Sequence, residues 1–169
     1  MSDIIWALVY ASPYLAVFIS WFFLIAFLFN LSTSINKKNK SSLVLSFIMM
    51  VSYFMTNLID MSVATHMDYL LFDVSTIFII IVFNFFSPWE KPAAFYYLIV
   101  GLSINASLYL MMHYDINIAK TLEYWWFWAL YAFWVYINDF LMALVLILNK
   151  DFLRLAKFIN HNFSNKVVS

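Results

Sequence analysis

Residues 125–148 read WWFWALYAFWVYINDFLMALVLIL, an aromatic and aliphatic run interrupted by Asn138 and Asp139. At about 1.5 Å per helical residue, it is long enough to cross a hydrocarbon core about 30 Å thick. Asp139 falls near its middle. A carboxylate at that depth is costly, so it marks either a functional group or a polar tie between helices.

The rest of the chain repeats this character. Of its 169 residues, 66% are hydrophobic, 22% aromatic and 11% charged. A soluble domain of this size carries about 25% charged residues. The composition therefore reads as an integral membrane protein, with no length left for a separate soluble domain. Net charge is zero, so nucleic acid is not an expected partner. The lipid bilayer is.

The chain has no cysteine and one glycine, Gly101. Disulfides, thiolate chemistry, Gly-rich phosphate loops and dinucleotide fingerprints are excluded. The broken helices of transporter cores are disfavoured for the same reason. Lacking GxxxG, the chain is not expected to assemble through close backbone contact of that kind.

These features predict an all-α fold, a polytopic bundle of five transmembrane helices. The spans fall at about 4–30, 43–64, 69–87, 93–112 and 122–149. Together they make one transmembrane domain, residues 1–149. Pro13 is expected to kink or tilt the first span. That span is no typical secretory signal, because Asp3 precedes it and the basic cluster Lys37, Lys38, Lys40 follows it.

The positive-inside rule places the N-terminus outside and the 31–42 loop in the cytoplasm. Lys91, Lys150, Arg154, Lys157 and Lys166 then also fall inside, and only Lys120 falls outside. Residues 150–169 form a cytoplasmic tail. Phe152, Leu155, Ala156, Ile159 and Phe163 recur there at helical spacing, predicting an amphipathic helix that lies on the inner leaflet or docks a protein partner. At the opposite end, Tyr124-Trp125-Trp126-Phe127-Trp128 reads as an interfacial aromatic belt.

Counting helical rise from the cytoplasmic ends puts Asn138, Asp139 and Asn105 roughly 15–18 Å deep, with Asn57 about one turn further out. These four are expected to form one midplane cluster. No Lys or Arg lies well inside any span, so Asp139 has no cationic partner in prospect within one subunit. It is expected either to be protonated and donate a hydrogen bond, or to face a water-filled path. Its helical neighbours Val135, Tyr136, Met142 and Ala143 favour burial between helices. Polar stripes run along the second span (Ser46, Tyr53, Asn57, Asp60), the third (Asp73, Thr76, Asn84) and the fourth (Ser103, Ser107). Such stripes avoid lipid and are expected to face other spans, another subunit or water.

Two His-x-Asp pairs, His66/Asp68 and His113/Asp115, fall at the outer face near Asp60, Asp73 and Glu123. Imidazole with carboxylate suits Zn²⁺, Mn²⁺ or Fe²⁺. The plainer reading, polar caps that close helices at the headgroups, is preferred, and no cofactor is expected. Haem is disfavoured because both histidines sit at span ends. Titration of His66 and His113 near neutral pH leaves a sensing role open.

Three functions compete. The leading one is a small homo-oligomeric membrane protein, channel-like or sensing ions or membrane state, centred on Asp139. The second is a non-conducting anchor, regulatory subunit or defence-type effector that acts on a cytoplasmic partner through residues 150–169. The third is a membrane enzyme with a metal site at the outer face. With no Ser-His-Asp arrangement of diagnostic spacing, a non-enzymatic role is preferred. The compact chain suggests a bacterial inner membrane.

Overall fold

The computed structural model of the chain describes residues 2–58, 65–121, 125–152, 154, 155 and 157. Among the described residues the elements are helical and no strand occurs. They are α1 (Ser2–Ser34), α2 (Ser41–Asn57), α3 (His66–Phe86), α4 (Ala93–His113) and α5 (Trp126–Leu148). α4 is extended by a π-helical turn over Tyr114–Ile118.

Prolines and caps set the boundaries. Pro88 and Pro92 bracket the α3–α4 turn, where a proline cannot continue the helix before it. Pro92 is the N-cap of α4. Asn149 ends α5 in the left-handed region at φ 47°, with its N–H bonded to the Val145 carbonyl at 2.8 Å. Asparagine is one of the few residues that enters that region readily. α1 runs through Pro13.

Four helical segments are long and apolar enough to cross a membrane: Pro13–Ser34, His66–Phe86, Ala93–Ile118 and Trp126–Leu148. α2 has 17 residues, about 26 Å of helix, which is short of a full crossing. The expected continuation of the second span to 64 lies outside the described residues, and Asp60 with it.

Each helix packs against its neighbour in sequence, and α5 closes the ring against α1. The main core stacks Ile19 and Phe23 of α1, Leu45 and Met49 of α2, Ile80 of α3, Leu98 and Leu102 of α4, and Met142 and Leu146 of α5. A smaller core of Leu108, Met112, Phe127 and Val135 joins α4 to α5. The outer faces carry large apolar side chains, among them Phe78, Phe85 and Phe86 of α3 and Trp21 of α1. That pattern matches an apolar solvent around the bundle.

α4 and α5 approach closely at Gly101. A side chain there would run into Met142, whose Cγ lies 2.8 Å from the place of a Cβ. Close approach therefore does occur inside the subunit without a GxxxG pair. One glycine suffices because a single crossing point needs the room. α1 and α5 are tied by Asn30, whose Nδ2 donates to the Leu146 carbonyl at 2.9 Å, and by the stacked rings of Phe22 and Phe140.

The connections bearing Lys37 and Lys91 meet at one end of the bundle, where Asn39 donates to the Glu90 carbonyl at 3.3 Å. They line a common groove with Asn149, the end of α5. Most of the tail lies outside the described residues, including Ala156, Ile159 and Phe163. Of its expected apolar face, Leu155 packs on the main core and Phe152 is exposed.

Candidate functional site

α5 carries Asp139 into the ring of helices, where the side chain is 5% exposed. Its Oδ1 accepts two hydrogen bonds, from the Tyr53 hydroxyl of α2 at 2.5 Å and from Asn105 Nδ2 of α4 at 2.6 Å. The Asn105 carbonyl oxygen in turn accepts from Asn138 Nδ2 at 2.8 Å, and that same amide donates to the Gly101 carbonyl at 2.8 Å. The amide of Asn105 can face only one way, because it must donate to a carboxyl and accept from a second amide. The result is a continuous chain of donors and acceptors across α2, α4 and α5. Asn138 and Asp139 adjoin in sequence, so one helix supplies both groups that flank Asn105 in it.

Three of the four expected cluster members thus meet. Asn57 does not join them. Its Nδ2 donates instead to the Ser20 hydroxyl of α1 at 2.6 Å. The reason is axial: Asn57 lies four residues, about one helical turn or 6 Å, beyond Tyr53 on the same face of α2, so its short side chain meets Ser20 of α1 while the longer Tyr53 reaches Asp139. Tyr53 takes the expected place of Asn57 as the α2 ligand of Asp139. Its position on the α2 polar stripe was visible in the sequence, but the reach of its hydroxyl was not.

On α3, Asp73 and Thr76 are buried as the stripe implies. Thr76 Oγ1 shares a 2.6 Å hydrogen bond with Ser52 of α2. Asp73 Oδ2 is buried and has no hydrogen-bond partner among the described residues. Asn84 is half-buried and sits about 16 Å further along α3 than Asp73, away from the cluster. Ser103 and Ser107 are exposed on the outside of the subunit, and their hydroxyls bond back to the carbonyls of Ile99 and Ser103. That bonding satisfies a serine facing lipid, so this stripe needs no second helix inside the chain.

Beside Asp139 lies a cavity of about 250 Å³ with walls from all five helices. Ser20 comes from α1, Tyr53 and Asn57 from α2, Tyr69 from α3, Tyr109 from α4, and Tyr131, Tyr136 and Asp139 from α5. The rings of Tyr69 and Tyr109 stack with centroids 5.4 Å apart, and Tyr131 meets Tyr109 edge-on at 5.9 Å.

The His-x-Asp pairs take other work. Asp68 Oδ2 accepts from the Thr65 N–H and hydroxyl, both at 2.8 Å, and so caps the start of α3. Asp115 Oδ2 accepts the indole N–H groups of Trp125 at 3.0 Å and Trp128 at 2.7 Å. His113 shares a 3.1 Å contact with Asn117 Nδ2, and His66 lies edge-on to Tyr131 at 5.7 Å. Among the described residues no three His, Asp or Glu side chains gather as a metal-ligand set. Glu123 lies outside the described residues.

The aromatic belt is therefore anchored from within by Asp115, a partnership that sequence reading left out. The π-helical turn over Tyr114–Ile118 carries Asp115 to the two indoles, and no periodicity argument anticipates such a turn. Asp115→Ala is expected to shift tryptophan emission to the red as Trp125 and Trp128 lose their shared acceptor. An unchanged emission spectrum would show that the two indoles are held by other contacts.

The fold and site define a class: a helical membrane-type bundle with a polar centre on Asp139. Comparison with protein-family models, with curated proteins and with solved structures found no match.

Proposed function

We propose that the chain is a five-span protein of a bacterial-type inner membrane, N-terminus outside and C-terminus cytoplasmic. In this reading it assembles as a homo-oligomer and has a channel-like or ion-sensing role through Asp139. The observation that carries it is the setting of that residue: a buried carboxyl at the wall of a cavity, deep in an apolar helix. No cation among the described residues acts on it. An intramembrane carboxyl is by default a candidate for an ion or proton pathway.

The orientation is supported by the gathering of Lys37 and Lys91 at one end of the bundle. The fifth span is supported by α2, which packs within the ring rather than beside it.

Ion flux into liposomes, with wild type beside Asp139→Asn, tests the reading. The expected result is flux in wild type that the substitution abolishes, with helicity and oligomer size unchanged. No flux from either protein, across a range of pH and membrane potential, removes the channel-like role. The weight then passes to a regulatory subunit or effector. That second reading has its own support in the groove where Lys37, Lys91 and Asn149 meet at the start of the tail. It predicts a cytoplasmic protein that co-purifies with the full chain and is lost when residues 150–169 are removed.

A further inference from the structure

We infer that the cavity between the five helices is a binding site for a small organic ammonium cation of the tetramethylammonium or choline type. The inference deepens the reading above and rests on Asp139 as its working group.

The site has one wall that bears a carboxyl group and several that bear aromatic rings. Tyr53, Tyr69, Tyr109, Tyr131 and Tyr136 line it together with Asp139. Tyr131 and Tyr109 are inclined at 74° to one another, so their faces turn in different directions. Aromatic rings at different inclinations around a carboxyl group suit a quaternary ammonium, because its charge is spread over methyl groups that cannot donate hydrogen bonds. The two donors on Oδ1, Tyr53 and Asn105, hold the carboxyl in place before a ligand arrives.

Charge balance points the same way. Asp139 and Asp73 are both buried and act on each other electrostatically. No cation among the described residues acts on either. Asp73 Oδ2 also lacks a hydrogen-bond partner among those residues. Ionising Asp139 there without a counter-charge is unfavourable, and a cation in the cavity it lines relieves that cost. Size separates the kinds of cation. A cavity of about 250 Å³ holds the volume of roughly eight waters at about 30 Å³ each. That suits a small organic ion. A bare metal ion is too small to fill that volume against the five tyrosines that line it.

The test is calorimetric titration of choline into the full chain in lipid nanodiscs. The comparison ligand is choline's neutral isostere, in which a tert-butyl group replaces the trimethylammonium. Choline is expected to bind saturably, and the isostere at least about tenfold more weakly. Asp139→Asn is expected to weaken choline binding by a similar factor. Tyr109 supplies an independent arm should Asp139→Asn misfold: Tyr109→Phe keeps the aromatic face and should retain binding, whereas Tyr109→Leu should lose about tenfold.

Absence of saturable choline binding overturns the inference. So does equal binding of the isostere, or Tyr109→Phe failing as badly as Tyr109→Leu. Choline binding without ion flux leaves the site standing and removes the channel-like role. Flux that depends on Asp139, without choline binding, does the reverse.

Discussion

Gly101→Val is expected to unseat α5 from α4 and to lower thermal stability more than any other single substitution on that seam. A Cβ at position 101 runs into the Met142 sulfur, comes within 2.8 Å of Met142 Cγ and stands 3.3 Å from Asn138 Oδ1. Met142 is itself fully packed, at 1% exposed, so it has little room to give way. Forcing extra carbons into such a seam costs about 1–3 kcal/mol. The damage also spreads, because Asn138 donates to the Gly101 carbonyl. Pushing the helices apart strains the route from that carbonyl to Asp139. Gly101→Ala should be milder: it adds the clashing Cβ without valine's two further methyl groups, and alanine recovers about 0.5–1 kcal/mol of backbone preference in a helix. Thermal unfolding in detergent measures both. Pairing Gly101→Val with Met142→Ala should restore much of the loss. A valine variant as stable as wild type would show that the seam is looser than its geometry indicates.

Asn105→Leu is the second large effect. An interhelical hydrogen bond in a bilayer contributes on average only about 0.6 kcal/mol, which suggests a small loss. The expectation here is larger, because Asn105 is the middle of the network and 1% exposed. Its removal takes a donor from Asp139 and an acceptor from Asn138 together. Asp139 keeps Tyr53 and Asn138 keeps the Gly101 carbonyl, so each loses one bond, at about 0.5–1.5 kcal/mol, more where the group is charged.

The asymmetry between breaking a network and deleting it supplies the control. Tyr53→Phe, Asn105→Leu and Asp139→Leu in one protein remove the polar centre and leave Asn138 its bond to Gly101. This triple variant should be more stable than Asn105→Leu alone and should carry no ion flux. If it is less stable than the single variant, the network's main role is to hold the helices. If it still conducts, Asp139 is not the working group.

Much of this architecture can be read from composition and spacing. The apolar run at 125–148 is α5 nearly to the residue, and Pro88 with Pro92 marks the α3–α4 turn. The pairing of Asn105 with Asp139 follows from depth alone, since two polar groups at one level of a bundle seek each other in an apolar medium. Depth does not give direction around a helix axis. Nor does it give reach: Asn57 lies one turn beyond Tyr53 on the same face of α2, and it is the longer tyrosine that meets Asp139. The same gap hid the partnership of Asp115 with two tryptophans, because a π-helical turn rotates the chain out of the ordinary period.

By itself, then, the sequence determined the all-helical class, the places of most turns and the order of the polar residues along each helix. These are one-dimensional properties, set by run length, proline placement and helical rise. The tertiary structure alone decided which side chains meet: Tyr53 rather than Asn57 on Asp139, Gly101 as the crossing point of α4 and α5, and a tyrosine-walled cavity shared by five helices. Those outcomes depend on how each helix rotates and how closely it approaches its neighbours. Both are set by packing among residues far apart in the chain.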